Sequence, residues 1–230
     1  MTRTQQVIKR AIDVVVSVSA LVVLLPLLPF VALLIKLDSP GPVFYVARRY
    51  GQNRRPFDFY KLRTMIPDAD RLGSVILTKA GDERVTRVGR ILRAFKIDEL
   101  PQLLNVLKGD MSVVGPRPEV FEVVENHYRD RWDRILSVRP GLTCLLQVAV
   151  YPEFTIGHGD VADPIRYYIE QDLPLKIRLD TEYVDRASLA LDIKIMGQTL
   201  YNILVKSWRF LDHSALAAPV PQKNRDPGTP

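Results

Sequence analysis

The stretch VVVSVSALVVLLPLLPFVALLI, residues 14–35, contains no charged side chain and ends directly before Lys36. At about 22 residues it is long enough to cross the roughly 30 Å hydrocarbon core of a bilayer as a straight helix. A secretory signal peptide would need a cleavage site with small residues, and residues 35–38 do not supply one. The stretch therefore predicts a membrane-embedded segment within residues 1–37.

Two prolines, Pro26 and Pro29, lie in the middle of this stretch and predict a kink or break in the helix. The part before the break, residues 11–25, would be roughly 22 Å long, and the part after Pro29 is shorter, so neither spans the core alone. Both flanks are basic, beginning with Lys9 and Lys36, which favours the cytoplasm for both ends. A re-entrant helix and a kinked spanning helix are both compatible with these facts.

The remainder of the chain predicts a mainly helical α+β domain. Apolar residues in residues 43–46 and 57–60, joined by a basic turn, predict a β-hairpin. Helical spacing of apolar residues predicts three helices, at 91–108 (interrupted by Pro101), 119–136 and 189–211. The third helix either packs in the core or lies on the membrane surface with Trp208. We predict a folded domain over residues 38–211 and, from its proline-rich and polar composition, a disordered tail over 212–230.

Composition narrows the possible functions. The chain has 230 residues, a formal net charge of +6, one cysteine and three histidines, which argues against an intramolecular disulfide, a cysteine metal cluster and a histidine-rich zinc site. The positive charge suits a phosphorylated substrate, an anionic lipid or nucleic acid. Because the chain has no nucleic-acid-binding motif, Walker loop or Rossmann glycine motif, we predict no nucleic-acid partner.

The adjacent carboxylates Asp98 and Glu99 are the first candidate for chemistry. Neighbouring carboxylates repel each other unless a cation compensates them. One carboxylate can attack phosphorus as a covalent nucleophile, and a second can bind Mg²⁺, which needs only one or two protein carboxylates. The alternative is structural, since Asp98 would also be a good cap for a helix that begins near Leu100.

Cationic side chains on both sides of this pair are the second candidate, as ligands for phosphate. Arg117 lies between Pro116 and Pro118, which stiffen the backbone and hold the side chain in one direction. Guanidinium groups bind phosphate oxygens with two parallel hydrogen bonds. The other candidate phosphate-binding residues are Lys61, Arg63 and Arg93.

Five ordered motifs carry a resemblance to a known family. They are KLRTM (61–65), GDERVTRVG (81–89), DELPQLLNVLKGDMSVVGPRP (98–118), RPGLT (139–143) and LDTEYV (179–184). With these motifs the chain resembles the bacterial sugar transferases, the monotopic polyprenyl-phosphate phosphoglycosyl transferases, over roughly residues 9–205. The resemblance implies a minimal catalytic unit with a proline-broken re-entrant helix, bound to the cytoplasmic face of the bacterial inner membrane.

The resemblance also implies a reaction. A UDP-sugar would donate its sugar 1-phosphate to a polyprenyl phosphate, such as undecaprenyl phosphate, with release of UMP and with Mg²⁺ as cofactor. Asp98 carries over as the nucleophile that forms a covalent phosphosugar intermediate, and Glu99 as the carboxylate that binds Mg²⁺. Arg117 carries over as a residue that binds phosphate, and Lys61 and Arg93 as polar residues near the active site. Monomer and homodimer are both compatible with the sequence.

The chain departs from the family pattern at two places. Leu25 precedes Pro26 where the family often has serine, so the hydroxyl that would help satisfy the broken helix is missing. After Gln147 the usual Gly-Arg is absent, and the chain continues through Val148 to Tyr151. The absent Gly-Arg is therefore compatible with a donor that carries an unusual sugar.

Overall fold

The computed structural model describes residues 1–72, 78, 82–128, 131–150 and 163–206. Most of these residues are helical, with two small two-stranded sheets. The helices are α1 Arg3–Leu24, α2 Leu28–Asp38, α3 Ala69–Leu72, α4 Arg87–Ala94, α5 Gln102–Lys108, α6 Phe121–His127, α7 Trp132–Ile135, α8 Leu145–Val150, α9 Pro164–Tyr167, α10 Leu173–Arg186 and α11 Leu189–Tyr201. The strands are β1 Phe44–Tyr50, β2 Pro56–Leu62, β3 Ser112–Val114 and β4 Gly141–Thr143. The mixed, mainly helical class predicted from the sequence is therefore present.

The N-terminal apolar segment is helical but interrupted. A 3₁₀ turn over Leu25–Leu27 contains Pro26 and separates α1 from α2, and Pro29 lies in the first turn of α2. Proline lacks the N–H that would continue the α-helical ladder, which explains why the interruption lies here. Within the described residues this is the one helix long and apolar enough to cross a membrane, and almost none of its apolar surface is buried.

Polar contacts hold the beginning of this segment to the rest of the chain. Lys9 Nζ donates to the Val114 carbonyl at 2.9 Å and pairs with the Asp192 carboxylate at 2.7 Å. Asp13 is 2 % exposed and accepts hydrogen bonds from the Ser112 hydroxyl and the Val113 N–H at 3.1 and 2.9 Å. The N-terminal half of α1 is thus fastened to β3 and α11 by buried charges.

The other end of the segment is fastened to the same domain. The guanidinium of Arg63 donates to the carbonyls of Pro40, Ser39 and Ile35, which are the last acceptors of α2 and the turn after it. The Asp38 carboxylate accepts from the Val88 N–H at 2.8 Å, at the start of α4. Both ends of the apolar segment therefore contact one folded unit.

The predicted hairpin is confirmed and is longer than the apolar pattern indicated. Strands β1 and β2 pair in antiparallel register from Phe44 opposite Leu62 to Tyr50 opposite Pro56. Phe59 on β2 lies in a buried core with Val106, Met111 and Ile195. The hairpin consequently packs on α5 and α11 and carries the motif of residues 61–65 into the interior.

The predicted long helices are shorter in the structure. The segment 91–108 is divided because Lys96 takes a left-handed backbone (φ 58°), which ends α4 before the interruption expected at Pro101. The segment 119–136 contains α6 and α7 with residues 129–130 outside the described part, and α11 is followed by a π-helical turn over Asn202–Lys206. Trp208 and the predicted tail 212–230 lie outside the described residues.

Candidate active site

The joint between α4 and α5 holds the two predicted catalytic carboxylates. After Lys96 the chain forms a 3₁₀ turn over Ile97–Glu99, and α5 begins at Gln102. Asp98 and Glu99 are 4 % and 5 % exposed. The structural alternative for Asp98 is wrong, since no side chain caps α5 and Pro101 occupies its N-cap position. The joint instead places two adjacent carboxylates in the interior, which demands compensating charge.

Glu99 receives this compensation chiefly from Arg117. The two terminal nitrogens of Arg117 donate to the two Glu99 oxygens at 3.1 and 2.5 Å, and the Nζ atoms of Lys61 and Lys96 lie 3.5 and 3.9 Å from Oε1. Burial works to raise the pKa of Glu99, but the charges of Arg117, Lys96 and Lys61 outweigh it and hold that pKa far below its ordinary value. Glu99 is therefore an anion at every physiological pH.

Asp98 has a different environment from Glu99, although the two residues are adjacent in the chain. Its Oδ1 atom is buried and has no hydrogen-bond partner among the described residues. Burial raises the pKa of Asp98; the nearby Lys61 charge opposes this, and the negative charge of Glu99 adds to it. A carboxylate oxygen that is dehydrated and unpartnered, yet surrounded by cations, is chemically suited to attack an electrophile.

Arg117 is held in place through its backbone as well as its side chain. A Cβ on Gly115, two residues earlier, would lie 2.5 Å from the Arg139 carbonyl, so only glycine allows this close approach of the strands. The Arg117 carbonyl accepts a hydrogen bond from Lys176 at 3.1 Å. Lys176 also contacts the Tyr128 hydroxyl and forms an ion pair with Asp180. The side chains of Lys176 and Asp180 are almost fully buried.

Lys61 and Arg93 lie beside the same carboxylates. Burial lowers the pKa of Lys61, against the attraction of Glu99 and Asp98. Arg93 is oriented by a 2.8 Å hydrogen bond from its Nε to the Thr64 hydroxyl, and burial lowers the pKa of its guanidinium against the field of Asp98. Together with Arg117 these side chains line a polar cavity of about 600 Å³, to which Tyr45 and Arg49 also belong.

Arg63, the fourth predicted phosphate ligand, has different partners. Its guanidinium donates to the three backbone carbonyls at the end of α2, and the residue is 7 % exposed. Since its two terminal nitrogens donate to the backbone, the structure supports a role in fastening the apolar segment, and Arg63 also lines the polar cavity. Sequence spacing could not distinguish the role of Arg63 from that of Lys61. Two residues that are two positions apart can still bind different partners in the fold.

Three contributors to the site escaped the sequence analysis. Lys96 lies near Glu99, Arg49 lines the polar cavity, and Lys176 supports the backbone of Arg117. The spacing of Lys176 and Asp180, four residues apart on a helix, was the available signal. Lysine and aspartate four residues apart on a helix usually lie on the surface, so the sequence did not predict that this pair is buried.

The donor set fits one divalent cation. Among the described residues no three His, Cys, Asp or Glu side chains come together, but Mg²⁺ typically uses only one or two protein carboxylates and completes its shell with water and phosphate. Asp98 has an unpartnered oxygen, and Glu99 retains lone pairs beyond the two that Arg117 uses. The adjacent carboxylates are therefore compatible with the predicted magnesium site.

Comparison with known proteins identifies relatives over most of the chain. A family model described as bacterial sugar transferase matches residues 4–206. A UDP-N-acetylgalactosamine-undecaprenyl-phosphate N-acetylgalactosaminephosphotransferase of Aeromonas hydrophila is 40% identical over 204 residues, which are 86% of this chain and 44% of the relative. A UDP-glucose:undecaprenyl-phosphate glucose-1-phosphate transferase of Caulobacter vibrioides is 42% identical over 199 residues, 85% of this chain and 69% of the relative.

A third relative has nearly the same length as this chain. An exopolysaccharide production protein of Rhizobium leguminosarum bv. phaseoli is 40% identical over 213 residues, which cover 89% of this chain and 98% of the relative. The chain thus spans less than half of the Aeromonas protein and almost all of the Rhizobium protein. The extent of these matches shows that the chain belongs to the bacterial sugar transferase family and is a phosphoglycosyl transferase, as the motifs predicted.

Proposed function

We propose that this chain transfers a sugar 1-phosphate from a UDP-sugar to undecaprenyl phosphate and releases UMP, as the first membrane step of polysaccharide or glycoconjugate assembly. The observation that carries the proposal is the pair of carboxylates in the α4–α5 joint, where Asp98 has an unpartnered buried oxygen beside Lys61, Arg93 and Arg117. The names of the Aeromonas and Caulobacter relatives support the donor and the acceptor.

The reaction proceeds in two displacements at one phosphorus. Asp98 Oδ1 attacks the phosphorus that carries the sugar; the bond from that phosphorus to the bridging oxygen breaks, and UMP leaves with the electron pair. The product is a phosphosugar linked to Asp98 as an acyl phosphate. A phosphate oxygen of the polyprenyl acceptor then attacks the same phosphorus, and Asp98 departs as a carboxylate, leaving a diphosphate-linked lipid.

The cations around Asp98 have defined tasks in these steps. Lys61, Arg93 and Arg117 line the polar cavity and would bind the diphosphate oxygens of the donor, which neutralises the charge that develops on the leaving UMP. Glu99 holds the guanidinium of Arg117 in one orientation through two hydrogen bonds. Because these groups are already in place, little reorganisation is needed when the donor binds.

Glu99 is the residue that would hold Mg²⁺ in this proposal, which leaves Asp98 free to act as the nucleophile. The ion, when bound, would supply positive charge at the diphosphate and so help the UMP to depart. Glu99 is suited to this because its depressed pKa keeps it ionised, and a hard cation prefers an anionic oxygen ligand.

The pH dependence of turnover follows from Asp98 and Lys61. The nucleophile must be ionised, so activity rises as the pH passes the pKa of Asp98, which burial raises above 3.8. Lys61 must be charged, so activity falls as the pH passes the pKa of Lys61, which burial lowers below 10.5. We expect a bell-shaped profile of UMP release whose alkaline limb moves to higher pH in Lys61→Arg, because arginine stays protonated. An exposed lysine replaced in the same way, Lys194→Arg, should leave the profile unchanged. An alkaline limb at the same pH in both variants would contradict the assignment.

We also propose that the apolar segment is re-entrant, with the catalytic domain on the cytoplasmic face of the inner membrane. Support comes from the contacts at its two ends, since Lys9 and Asp13 at one end and Asp38 at the other bind the same folded domain. A folded domain on one side of a bilayer cannot contact both ends of a spanning helix. The basic flanks favour the cytoplasm for that side.

Accessibility of single cysteines tests this topology. The chain's one cysteine, Cys144, is buried, so new cysteines at Thr4 and at Pro40 can be labelled selectively in spheroplasts. We expect both to be protected from an impermeant maleimide until the membrane is permeabilised. Labelling of either position from outside would rule out the re-entrant arrangement.

Release of UMP tests the reaction itself. The purified protein in nanodiscs would be given undecaprenyl phosphate, Mg²⁺ and either UDP-glucose or UDP-N-acetylgalactosamine, the donors named by the relatives. Multiple-turnover release that depends on the acceptor, on Mg²⁺ and on one donor supports the proposal and identifies the sugar. Absence of release with every UDP-sugar in a broad panel would overturn it.

A further inference from the structure

Glu99 also borders a second cavity, an apolar groove of about 600 Å³ that shares no lining residue with the polar cavity. One wall is the membrane helix α1, through Val16 and Ala20, and the opposite wall is α11, through Met196 and Leu200. Its volume lies in the range of ordinary ligand sites, and most of the surface that it exposes is apolar. A ligand bound there would need a hydrocarbon body.

The groove connects Glu99 with the apolar exterior. Beyond its walls α1 exposes further apolar side chains, with Val15 and Val22 at 63 % and 67 %, and Leu200 in the α11 wall is itself 59 % exposed. Exposed apolar surface that is continuous with a membrane-embedded helix is expected to lie in hydrocarbon. The open part of the groove therefore faces the region where a lipid tail is available.

The inner part of the groove is polar and contains one cation and one anion. Lys96 and Glu99 line it there, together with Thr143 and Gln147. The Oε1 atom of Gln147 is buried and has no partner among the described residues, so the groove contains an unsatisfied polar atom as well as a cation. This distribution fits an amphiphile with an anionic head beside Lys96 and an apolar tail directed toward the bilayer.

We propose that this groove binds the first isoprene units of the polyprenyl phosphate acceptor, with the acceptor phosphate next to Lys96. The inference rests on the proposed function and adds the location of the acceptor. The donor would approach Asp98 through the polar cavity and the acceptor through the groove, so each meets the same carboxylate without exchanging places. A tail enclosed between α1 and α11 is selected by its shape, whereas the rest of the isoprenoid chain lies in the bilayer.

Gly197 offers a sharp test because of its position on the groove wall. A Cβ built there has nothing within 4 Å, so a larger side chain enters open space and does not clash with the protein. Replacing glycine within a helix also favours the helix. In Gly197→Leu we expect the KM for undecaprenyl phosphate to rise about tenfold or more, because the added side chain occupies the volume of the tail.

Two measurements distinguish binding of the acceptor in the groove from the chemical reaction. Crosslinking of a photoreactive polyprenyl phosphate in nanodiscs reports binding without turnover, and exchange of labelled UMP into the UDP-sugar reports the donor half-reaction without an acceptor. Gly197→Leu should lose most of the crosslinking yield and keep the exchange, whereas Gln198→Leu, on the adjacent exposed face of α11, should match the wild type in both. A phospholipid added in excess should not displace the photoreactive probe.

Wild-type crosslinking in Gly197→Leu would overturn the proposal, and so would displacement of the probe by phospholipid, which would make the groove a general lipid contact. A different result would refute the proposed reaction but keep the assignment of the groove to the acceptor. In that case the wild type shows no UMP exchange but normal crosslinking, and Gly197→Leu abolishes the crosslinking. The two proposals can therefore fail separately.

Discussion

Asp98→Asn is expected to lower turnover by about 10⁴-fold or more, because the neutral amide oxygen cannot attack phosphorus and no other group replaces it. The substitution keeps the size of the side chain. It removes the cost of a buried charge with an unpartnered oxygen, and it also removes a counter-charge from Lys61 and Arg93. These effects on stability have opposite signs, so thermal unfolding in nanodiscs should change little while UMP release disappears.

The matched control is Asp58→Asn, since the Asp58 side chain is 56% exposed and forms only a long surface pair with Arg48. It should retain both activity and stability. A direct measurement accompanies the kinetics: wild-type protein given a UDP-sugar without acceptor should carry the mass of a phosphosugar on the peptide that contains Asp98. Normal UMP release by Asp98→Asn, or the same mass on that variant, would refute the covalent mechanism.

Arg117→Met is expected to damage both the fold and the reaction. The variant leaves the buried charge of Glu99 with only the longer contacts to Lys61 and Lys96, and an uncompensated buried charge costs about 3–5 kcal/mol. The loss of a donor aimed at the diphosphate should lower turnover by about 10²–10³-fold. Denaturant unfolding and UMP release measure the two effects separately.

A second substitution distinguishes these two roles of Arg117. Adding Glu99→Gln removes the orphaned charge, so the double variant should recover much of the lost free energy of unfolding but none of the activity. Arg134→Met is the control for losing an arginine–carboxylate pair, because the Arg134–Asp185 pair is largely exposed and should contribute little. If Arg117→Met were as stable as Arg134→Met, the compensation of Glu99 by Arg117 would be disproved.

Acid should reveal the same ion pair. Because the folded-state pKa of Glu99 is depressed, its contribution to stability is complete above the ordinary glutamate pKa of 4.5 and is lost as pH falls toward the folded-state value. Arg117→Met removes the main cause of the depression. Its acid unfolding should therefore begin at higher pH than that of the wild type.

Local patterns predicted the features that depend on neighbouring residues in the chain. An uncharged apolar stretch interrupted by Pro26 and Pro29 gives an interrupted apolar helix, and alternating apolar residues on either side of a turn give the β1–β2 hairpin. The adjacency of Asp98 and Glu99 and the rigid Pro-Arg-Pro around Arg117 were also visible in the sequence. Each of these follows from covalent geometry or short-range periodicity.

The sequence alone thus determined the interrupted apolar segment, the hairpin and the residue types of the site. Only the tertiary structure decided that Arg63 binds the end of α2, that the buried Lys176 supports Arg117, and that the left-handed Lys96 divides one predicted helix into two. The reason is physical: the partner of a charged side chain and its burial depend on residues distant in the chain. In this protein those distant contacts hold Glu99 as an anion against Arg117, and they leave Asp98 Oδ1 buried with no hydrogen-bond partner among the described residues.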